Sequence, residues 1–575
     1  MDSRTAAHTL NRIADALDVT GAQKFRSRAF RKAAKSILQL DTDDLAPLIA
    51  SGELAATPNV GPATVRIIRE LVETGESSYL AMLTDGVPEG LIDLLRIPGL
   101  NLNRVREIHA ELGVETIDQL EEAARSGRLA TLKGMGPKTA GKIIEAIQFA
   151  RESHPQRLFL NAVISASQLL ESVRRHPDIA RAEVAGEVRR RLEVVGSIEI
   201  AAECKGDPYE VAQSLAAIAG VRDSDATPDG VATLSFVDGE RLVVHCANRD
   251  EFGLAYFRAT GNSAHVNEVL NALEEKGFSI QGNSVLDNKG KRIAVPEEET
   301  LYRIAGLQFI APELREARGE VAAARAKQLP TLIEYGDLRG VLHCHSEYSD
   351  GTSSIAQMAK AAKERGWEYI GISDHSQAAH YAGGLSPADV LRQHDEIDRL
   401  NSEMKDFRIL KGIEADILQD GRMDYDEKLL ERFDFVIGSI HARFKQSGAQ
   451  ITERVLRALD NPHLTILAHP TGRLLLSRPP YDLDIDAVLD KALEKGVAVE
   501  LNADPHRLDL DWRHLHDAKK RGVMIEIGPD AHSPLGLDAT ELGIGMARKG
   551  WLEANDVLNT RSADDVVAFA KKLDR

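Results

Sequence analysis

Apolar residues recur at helical spacing through the first 150 positions. Leu10, Ile13, Ala14 and Leu17 share one face, as do Val65, Ile67, Ile68 and Leu71, and Gly/Pro turns separate these segments. From about 155 to 310 helical stretches mix with strand-like alternation. Val231–Val237 and Glu240–Cys246 flank Asp238-Gly239, which predicts a β-hairpin. Residues 312–328 are rich in Ala, Arg and Glu and predict one linking helix ending before Pro330. Beyond about 338 short apolar runs alternate with helical stretches, the pattern of a parallel α/β domain. Leu342–His345, Tyr369–Ile372, Ile409–Ile413, Phe433–Ile440, Thr465–Leu467, Val497–Asn502 and Val523–Ile527 predict seven strands. The fold class is therefore multidomain. Two helical regions (1–80 and 81–155) precede an α+β region (156–310), a linker helix (311–337) and an α/β domain (338–575).

A length of 575 residues suits several domains, and 43% hydrophobic with 28% charged residues is a globular balance. No run of eighteen apolar residues exists and the N-terminus lacks a basic-then-apolar leader, so a membrane partner and secretion are not expected. Three widely spaced cysteines exclude a disulfide scaffold and point to a reducing, cytoplasmic setting. The net charge of -18 argues against a chain coated in nucleic acid, but leaves room for local basic or phosphate-binding surfaces. Twelve of the 18 histidines fall after residue 340, in the acidic part of the chain. That enrichment is what a metal site needs.

Three turns in the helical part share a signature: Pro58-Asn-Val-Gly61-Pro62, Pro98-Gly99-Leu-Asn101-Leu, and Lys133-Gly134-Met-Gly136-Pro137-Lys138. Such turns leave backbone N–H groups free to meet a phosphate at the start of the following helix. They resemble helix-hairpin-helix motifs, which grip DNA without reading its bases. Gly61, Gly99, Gly134, Gly136 and Lys138 are the expected contacts. The third copy is the most complete. The first has Asn59 in the first glycine position, and the second has Asn101 in the second. The basic stretch Phe25–Ala34 resembles the small DNA-end-binding domain of family X DNA polymerases. Its lysines read as a solvated basic face rather than as Schiff-base nucleophiles.

The middle region continues that resemblance. Gly186-Glu187-Val188-Arg189-Arg190 stands in the place of the family's phosphate clamp, and Tyr256-Phe257…Thr260-Gly261 resembles its nucleotide-binding turn. The first 310 residues are thus similar to a bacterial polymerase X with a nucleotidyltransferase-like palm. The family's carboxylates, which hold two Mg²⁺ ions for nucleotidyl transfer, are not matched. Their place reads Ser197-Ile198-Glu199, and Leu242–Cys246 has no carboxylate. Glu187 replaces a small hydroxyl residue and would repel a triphosphate. Polymerase activity is expected to be weak or lost, and the departures argue against Mg²⁺ and dNTP binding. Glu193, Glu199 and Glu203 are the residues that would have to rebuild a site.

In the last region His343-Cys344-His345 is predicted on a strand, with both imidazoles on one face. Asp350, Asp374-His375, Glu414, His441, His469 and Asp530-Ala531-His532 sit at or after the later apolar runs, as active-site residues do at the C-terminal ends of barrel strands. These motifs resemble the PHP (polymerase and histidinol phosphatase) domain over about 338–560, a distorted seven-stranded barrel. The resemblance implies two or three Mn²⁺ or Zn²⁺ ions. His343, His345, Glu414 and Asp530 would hold one; Glu414, His441 and His469 a second; Asp350, His375 and His532 a third. Asp374 reads as a supporting partner. Glu414, Asp530 and Arg473 are the expected catalytic groups, Arg473 as a phosphate clamp. The family's activities are 3′–5′ exonuclease and often abasic-site endonuclease, so a DNA-repair protein acting on gapped or 3′-ended DNA is implied. The alternatives are an active gap-filling DNA polymerase with PHP proofreading, and a small-molecule phosphatase of the histidinol-phosphate type.

Overall fold

The structure is a computed structural model that describes residues 1–572 apart from 21–23, 41, 85–90, 92, 93, 95, 96, 98, 99, 101, 154, 155 and 445. Helices Ser3–Thr20 (α1), Lys24–Leu38 (α2) and Pro62–Thr74 (α3) enclose a core that includes Leu10, Ile13, Leu17, Phe30, Ile37, Ile67 and Ile68. Helix α3 starts from a left-handed Asn59 (φ 64), with Gly61 as N-cap and Pro62 in its first turn. Asparagine tolerates positive φ better than most residues, so it can stand where the motif has glycine. Helices Leu102–Leu112 (α4) and Pro137–Ser153 (α5) belong to a second core around Ile108, Leu120, Leu129 and Ile147. Helix α5 is entered through Gly134 at φ 80 and Gly136. Pro98, Gly99 and Asn101 of the middle turn lie outside the described residues.

The α+β part is a five-stranded sheet of Ile179–Ala185 (β1), Ile198–Cys204 (β2), Val221–Ala226 (β3), Val231–Phe236 (β4) and Arg241–Asn248 (β5). Its order is β1-β2-β5-β4-β3, with β2 and β5 parallel and the other pairs antiparallel. The hairpin around Asp238-Gly239 is β4–β5. Helix Phe159–Arg174 (α6) packs on β1 and β2 through Phe159, Ala166 and Leu169. Helices Phe252–Thr260 (α7) and Ser263–Glu275 (α8) build a further core with Leu301, Tyr302, Ile310 and, from the last domain, Trp551.

The linker departs from expectation. Residues 312–328 hold a short 3₁₀ turn, Pro312–Leu314, and a seven-residue helix, Glu320–Ala326 (α9), instead of one helix. Arg315 between them is fully buried, its guanidinium paired with Glu298 and donating to Ile310 O. Ala317 (φ 56) and Gly319 (φ 97) then turn the chain left-handed, and the Glu320 carboxylate accepts from the N–H groups of Ala317 and Arg318. A buried ion pair outweighs local helix propensity here.

The last domain is a nearly closed parallel barrel of seven strands in sequential order. These are Gly340–Val341 (β6), Tyr369–Ile372 (β7), Arg408–Asp416 (β8), Phe435–Ser439 (β9), Ile466–Leu467 (β10), Ala498–Asn502 (β11) and Ile525–Gly528 (β12). The first strand ends before His343. The segment beyond it stays extended and closes the barrel by a bridge from Cys344 to Ala531. Every residue of β7, β9, β11 and β12 is buried, as expected of strands covered on both sides.

The sheet domain and the barrel meet in a polar seam. Trp512 Nε1 and Arg513 of helix Trp512–Arg521 (α10) bind Glu193 at 2.8 and 2.6 Å. Lys549, 1% exposed at the end of helix Thr540–Lys549 (α11), donates to Arg190 O, pairs with Glu316 and sits 4.5 Å from the Trp512 ring centroid. Removing one member of a buried ion pair costs about 3 kcal/mol or more. Lys549→Met is therefore expected to lower the thermal midpoint of the barrel by several degrees. An unchanged melting curve would contradict a structural role for the seam.

Candidate metal centre

Glu414 projects from β8 into the mouth of the barrel and is 1% exposed. It lies within the strand rather than beyond its end, because β8 runs three residues further than its apolar pattern. Five imidazoles approach its carboxylate. His375 Nδ1, His343 Nε2 and His345 Nε2 lie 2.9, 3.4 and 3.7 Å from Oε2. His469 Nε2 and His441 Nε2 lie 3.1 and 3.2 Å from Oε1. Asp530 Oδ1 joins on one side, 3.2 Å from His345 Nε2. On the open side Asp350 stands 3.2 Å from His532 Nε2 and 3.6 Å from His375 Nε2. All nine residues singled out from the sequence are thus gathered in one cavity. Three overlapping sets have donor atoms within 4.8 Å of one another: His345, Asp350, His375 and His532; His343, His345 and Asp530; His375, Glu414 and His441. His345 and His375 each belong to two sets, a sharing that sequence order does not show.

The electrostatics follow from crowding. Burial works to raise the Glu414 carboxyl, but His375, His441 and His343 hold it well below the usual carboxylate range. Burial works to lower His375, yet Glu414 and Asp350 push it up to about 10, and His441 rises to about 9 beside Glu414 and Asp416. His469 is pulled down to about 3 by burial and by Arg507. Several of these buried atoms make no hydrogen bond: His343 Nε2, both ring nitrogens of His345, His375 Nδ1 and Glu414 Oε2. Buried polar atoms are normally satisfied. A cluster of them converging with carboxylates fits a divalent cation, and oxygen and imidazole donors without thiolate suit Mn²⁺ or Zn²⁺.

Carboxylates behind the cluster aim it. Glu500 on β11 accepts from His343 Nδ1 and, through Oε2, from the His469 backbone N–H at 2.6 Å. Asp416 lies 2.7 Å from His441 Nδ1. Asp374 accepts from Ser346 N and Oγ, Ser349 Oγ and Gln393 Nε2, which fixes the turn that carries Asp350. Gly528 leaves room for this arrangement, since a Cβ there would stand 2.1 Å from Glu500 Oε1. His469 (φ 25) and Asp530 (φ 50) both hold left-handed backbones, strain of the kind that collects at functional sites. Sequence reading missed Glu500 and Asp416. The signal available was a carboxylate inside an otherwise apolar run.

Arg473, expected as a phosphate clamp, is engaged with protein groups. Its guanidinium pairs with Asp511 and donates to the carbonyls of Arg507 and Leu508, which folds the 507–511 loop. Arg507 on that loop is the guanidinium at the cluster, 3.7 Å from Asp530 Oδ2.

The polymerase-like region is arranged differently. Glu199 bonds His245 at 3.0 Å and Glu187 accepts from Gly196 N at 2.7 Å, while Ser197 lies just ahead of β2. Gly186, at φ 61, could not carry a Cβ without meeting Glu199 at 2.9 Å. Arg189 pairs with Glu298 and lies over the Tyr256 ring, and Arg190 pairs with Glu316. Glu193 belongs to the seam, and Glu203 faces Arg181 at 3.9 Å. Among the described residues, every group of three or more candidate metal donors lies in the barrel.

Comparisons with known proteins place this geometry. A relative named DNA polymerase/3′-5′ exonuclease PolX, from Bacillus subtilis, is 36% identical over 580 residues, covering all of both chains. The chain belongs to the PolX family. The PHP domain family matches residues 342–527 and the DNA polymerase beta thumb family 255–316. A helix-hairpin-helix domain matches 1–77, and a SAM-like helix-hairpin-helix tandem 91–148. Two proteins named probable phosphatase match about a third of the chain. That of Clostridium acetobutylicum is 29% identical over 33% of this chain and 78% of its own length. That of Acetivibrio thermocellus is 33% identical over 31% and 73%.

Second-layer carboxylates typically change metal affinity about 10- to 100-fold. Glu500→Gln is accordingly expected to weaken Mn²⁺ binding by about ten-fold or more in calorimetric titration. Wild-type affinity in that variant would show that Glu500 does not position His343 and His469.

Proposed function

We propose that the chain is a DNA-repair enzyme whose barrel hydrolyses phosphodiester bonds at DNA 3′ ends, as a divalent-metal-dependent 3′–5′ exonuclease. One observation carries this reading: six imidazoles and three carboxylates converge at the barrel mouth of a PolX-family chain. His343, His345, Glu414 and Asp530 would hold one ion. Glu414, His441 and His469 would hold a second, and Asp350, His375 and His532 a third, with Mn²⁺ or Zn²⁺ as the ions. When bound, such ions supply Lewis acidity, neutralising phosphate oxygens and acidifying water. Glu414 and Asp530 set the spacing of the donors from two sides of the cavity. Arg507 offers a fork-shaped cation for a non-bridging phosphate oxygen, the role first assigned to Arg473. Asp350 and His532 are the most exposed of the nine and mark the side on which substrate enters. Abasic-site cleavage would use the same groups.

The helix-hairpin-helix regions supply the grip on DNA. Gly61, Gly134, Gly136 and Lys138 lie at or beside helix starts, and no neighbour stands within 4 Å of a Cβ built on any of the three glycines. A backbone can approach closely there. Gly99 takes the same role in this proposal. The former nucleotide site does not support catalysis: Glu187, Glu199, Arg189 and Arg190 are engaged with protein partners, so dNTP and Mg²⁺ find no open clamp. The chain works in the cytoplasm as a monomer, with residues 1–155 and 156–310 holding the DNA and residues 338–575 cutting it.

One assay separates the readings. End-labelled gapped duplex with Mn²⁺ should be shortened from its 3′ end, and addition of dNTPs should not extend it. Efficient primer extension would overturn the loss of polymerase activity, and release of phosphate from histidinol phosphate alone would favour a small-molecule phosphatase. His343→Ala with His345→Ala is expected to abolish shortening and keep DNA affinity. Affinity should fall steeply between low and physiological salt, since backbone contacts release counterions. A salt-independent binding curve would contradict the backbone grip.

A further inference from the structure

Tyr381 is 71% exposed, yet it stands at the barrel mouth and not on the outer surface. Its ring centroid lies 6.0 Å from that of His375 and 6.0 Å from that of His441, two of the imidazoles around Glu414. The short helical turn His380–Ala382 that carries it is firmly held. Ala379 and Ala382, on either side, are buried. Ala378 N donates to Asp424, Ala379 N to Ser376 O, and Leu385 N to His375 O, so the turn is tied directly to the residue bearing one of the site imidazoles. Among the described residues the Tyr381 hydroxyl has no hydrogen-bond partner. Neither the core nor the metal cluster needs this ring, and an aromatic held rigidly in water has stacking area to offer.

We infer that Tyr381 is a stacking platform for the nucleobase next to the scissile phosphodiester, and so a substrate-positioning residue of the nuclease site. The inference rests on the exonuclease reading above and deepens it. A phosphate over the cluster carries its base one sugar away, on the side where Tyr381 rises beside His375 and His441. An aromatic ring suits an exonuclease because every base has a π-face, so stacking tolerates all four. It complements a DNA grip that also ignores base identity.

The test uses the full-length protein and two 3′-labelled substrates, one ending in an ordinary nucleotide and one in a tetrahydrofuran abasic residue. Stacking of one base corresponds to about 5- to 150-fold in affinity. On the ordinary end, Tyr381→Ala is expected to raise KM by about that factor, with kcat changed less than about three-fold and Mn²⁺ binding unchanged. Tyr381→Phe should behave as wild type. On the abasic end, wild type and Tyr381→Ala should have the same KM. The inference is overturned if Tyr381→Ala leaves KM unchanged on the ordinary end. It is equally overturned if the variant is impaired alike on both ends, or if Tyr381→Phe is as impaired as Tyr381→Ala. A wild-type protein that shortens neither substrate would instead sink the exonuclease reading, and this inference with it.

Discussion

A carboxylate buried at the mouth of a barrel, with no lysine or arginine bonded to it among the described residues, has to be compensated by what surrounds it. Glu414 is such a group, and five imidazoles crowd its two oxygens. Taking one charge out of water is expensive, and the cost is offset only where partners are placed well. That requirement shapes the domain. Seven parallel strands deliver the imidazoles and acids from separate loops, and Glu500, Asp416 and Asp374 hold those loops in register. The extended segment after β6 bridges to Ala531, which brings His343 and His345 against Asp530. The same crowding leaves several buried nitrogen and oxygen atoms without a hydrogen-bond partner, a state that a divalent cation would relieve.

The other half of the molecule uses its charges for architecture. Arg189 and Arg190, placed where a polymerase would grip phosphate, reach instead to Glu298 and Glu316. Glu316 in turn meets Lys549 of the barrel domain, and Glu193 meets Trp512 and Arg513. The Arg190–Glu316–Lys549 ion pairs therefore run from the polymerase-like region into the seam between the sheet domain and the barrel. Arg190 and Glu193, which lie in the polymerase-like region, thus take part in docking the two domains.

Much of this was legible in the chain itself. The nine barrel residues stand out because each ends or follows a short apolar run, and the period-2 and period-3.6 patterns separate strands from helices. Arg507 was not singled out in the sequence, because which arginine near that loop faces the cluster depends on how the loop folds, and Asp511 draws Arg473 into it. Glu500 was hidden for the opposite reason. It lies within an apolar strand, where a charge reads as a lapse in the pattern until its partner His343, far off in sequence, is seen beside it. The linker helix was overcalled because alanine content speaks only for local propensity. The inward turn of Arg315 toward Glu298 is a tertiary contact. Tyr381 follows no periodicity at all, and only its place beside two imidazoles gives it meaning.

Crystals of the protein soaked in manganese and measured at the manganese absorption edge test the central claim most directly. Anomalous peaks are expected inside the barrel mouth at about 2.0–2.3 Å from imidazole and carboxylate donors, with Glu414 shared between two of them. Peaks confined to the outer surface, with Glu414 still bonded only to its imidazoles, would contradict the account.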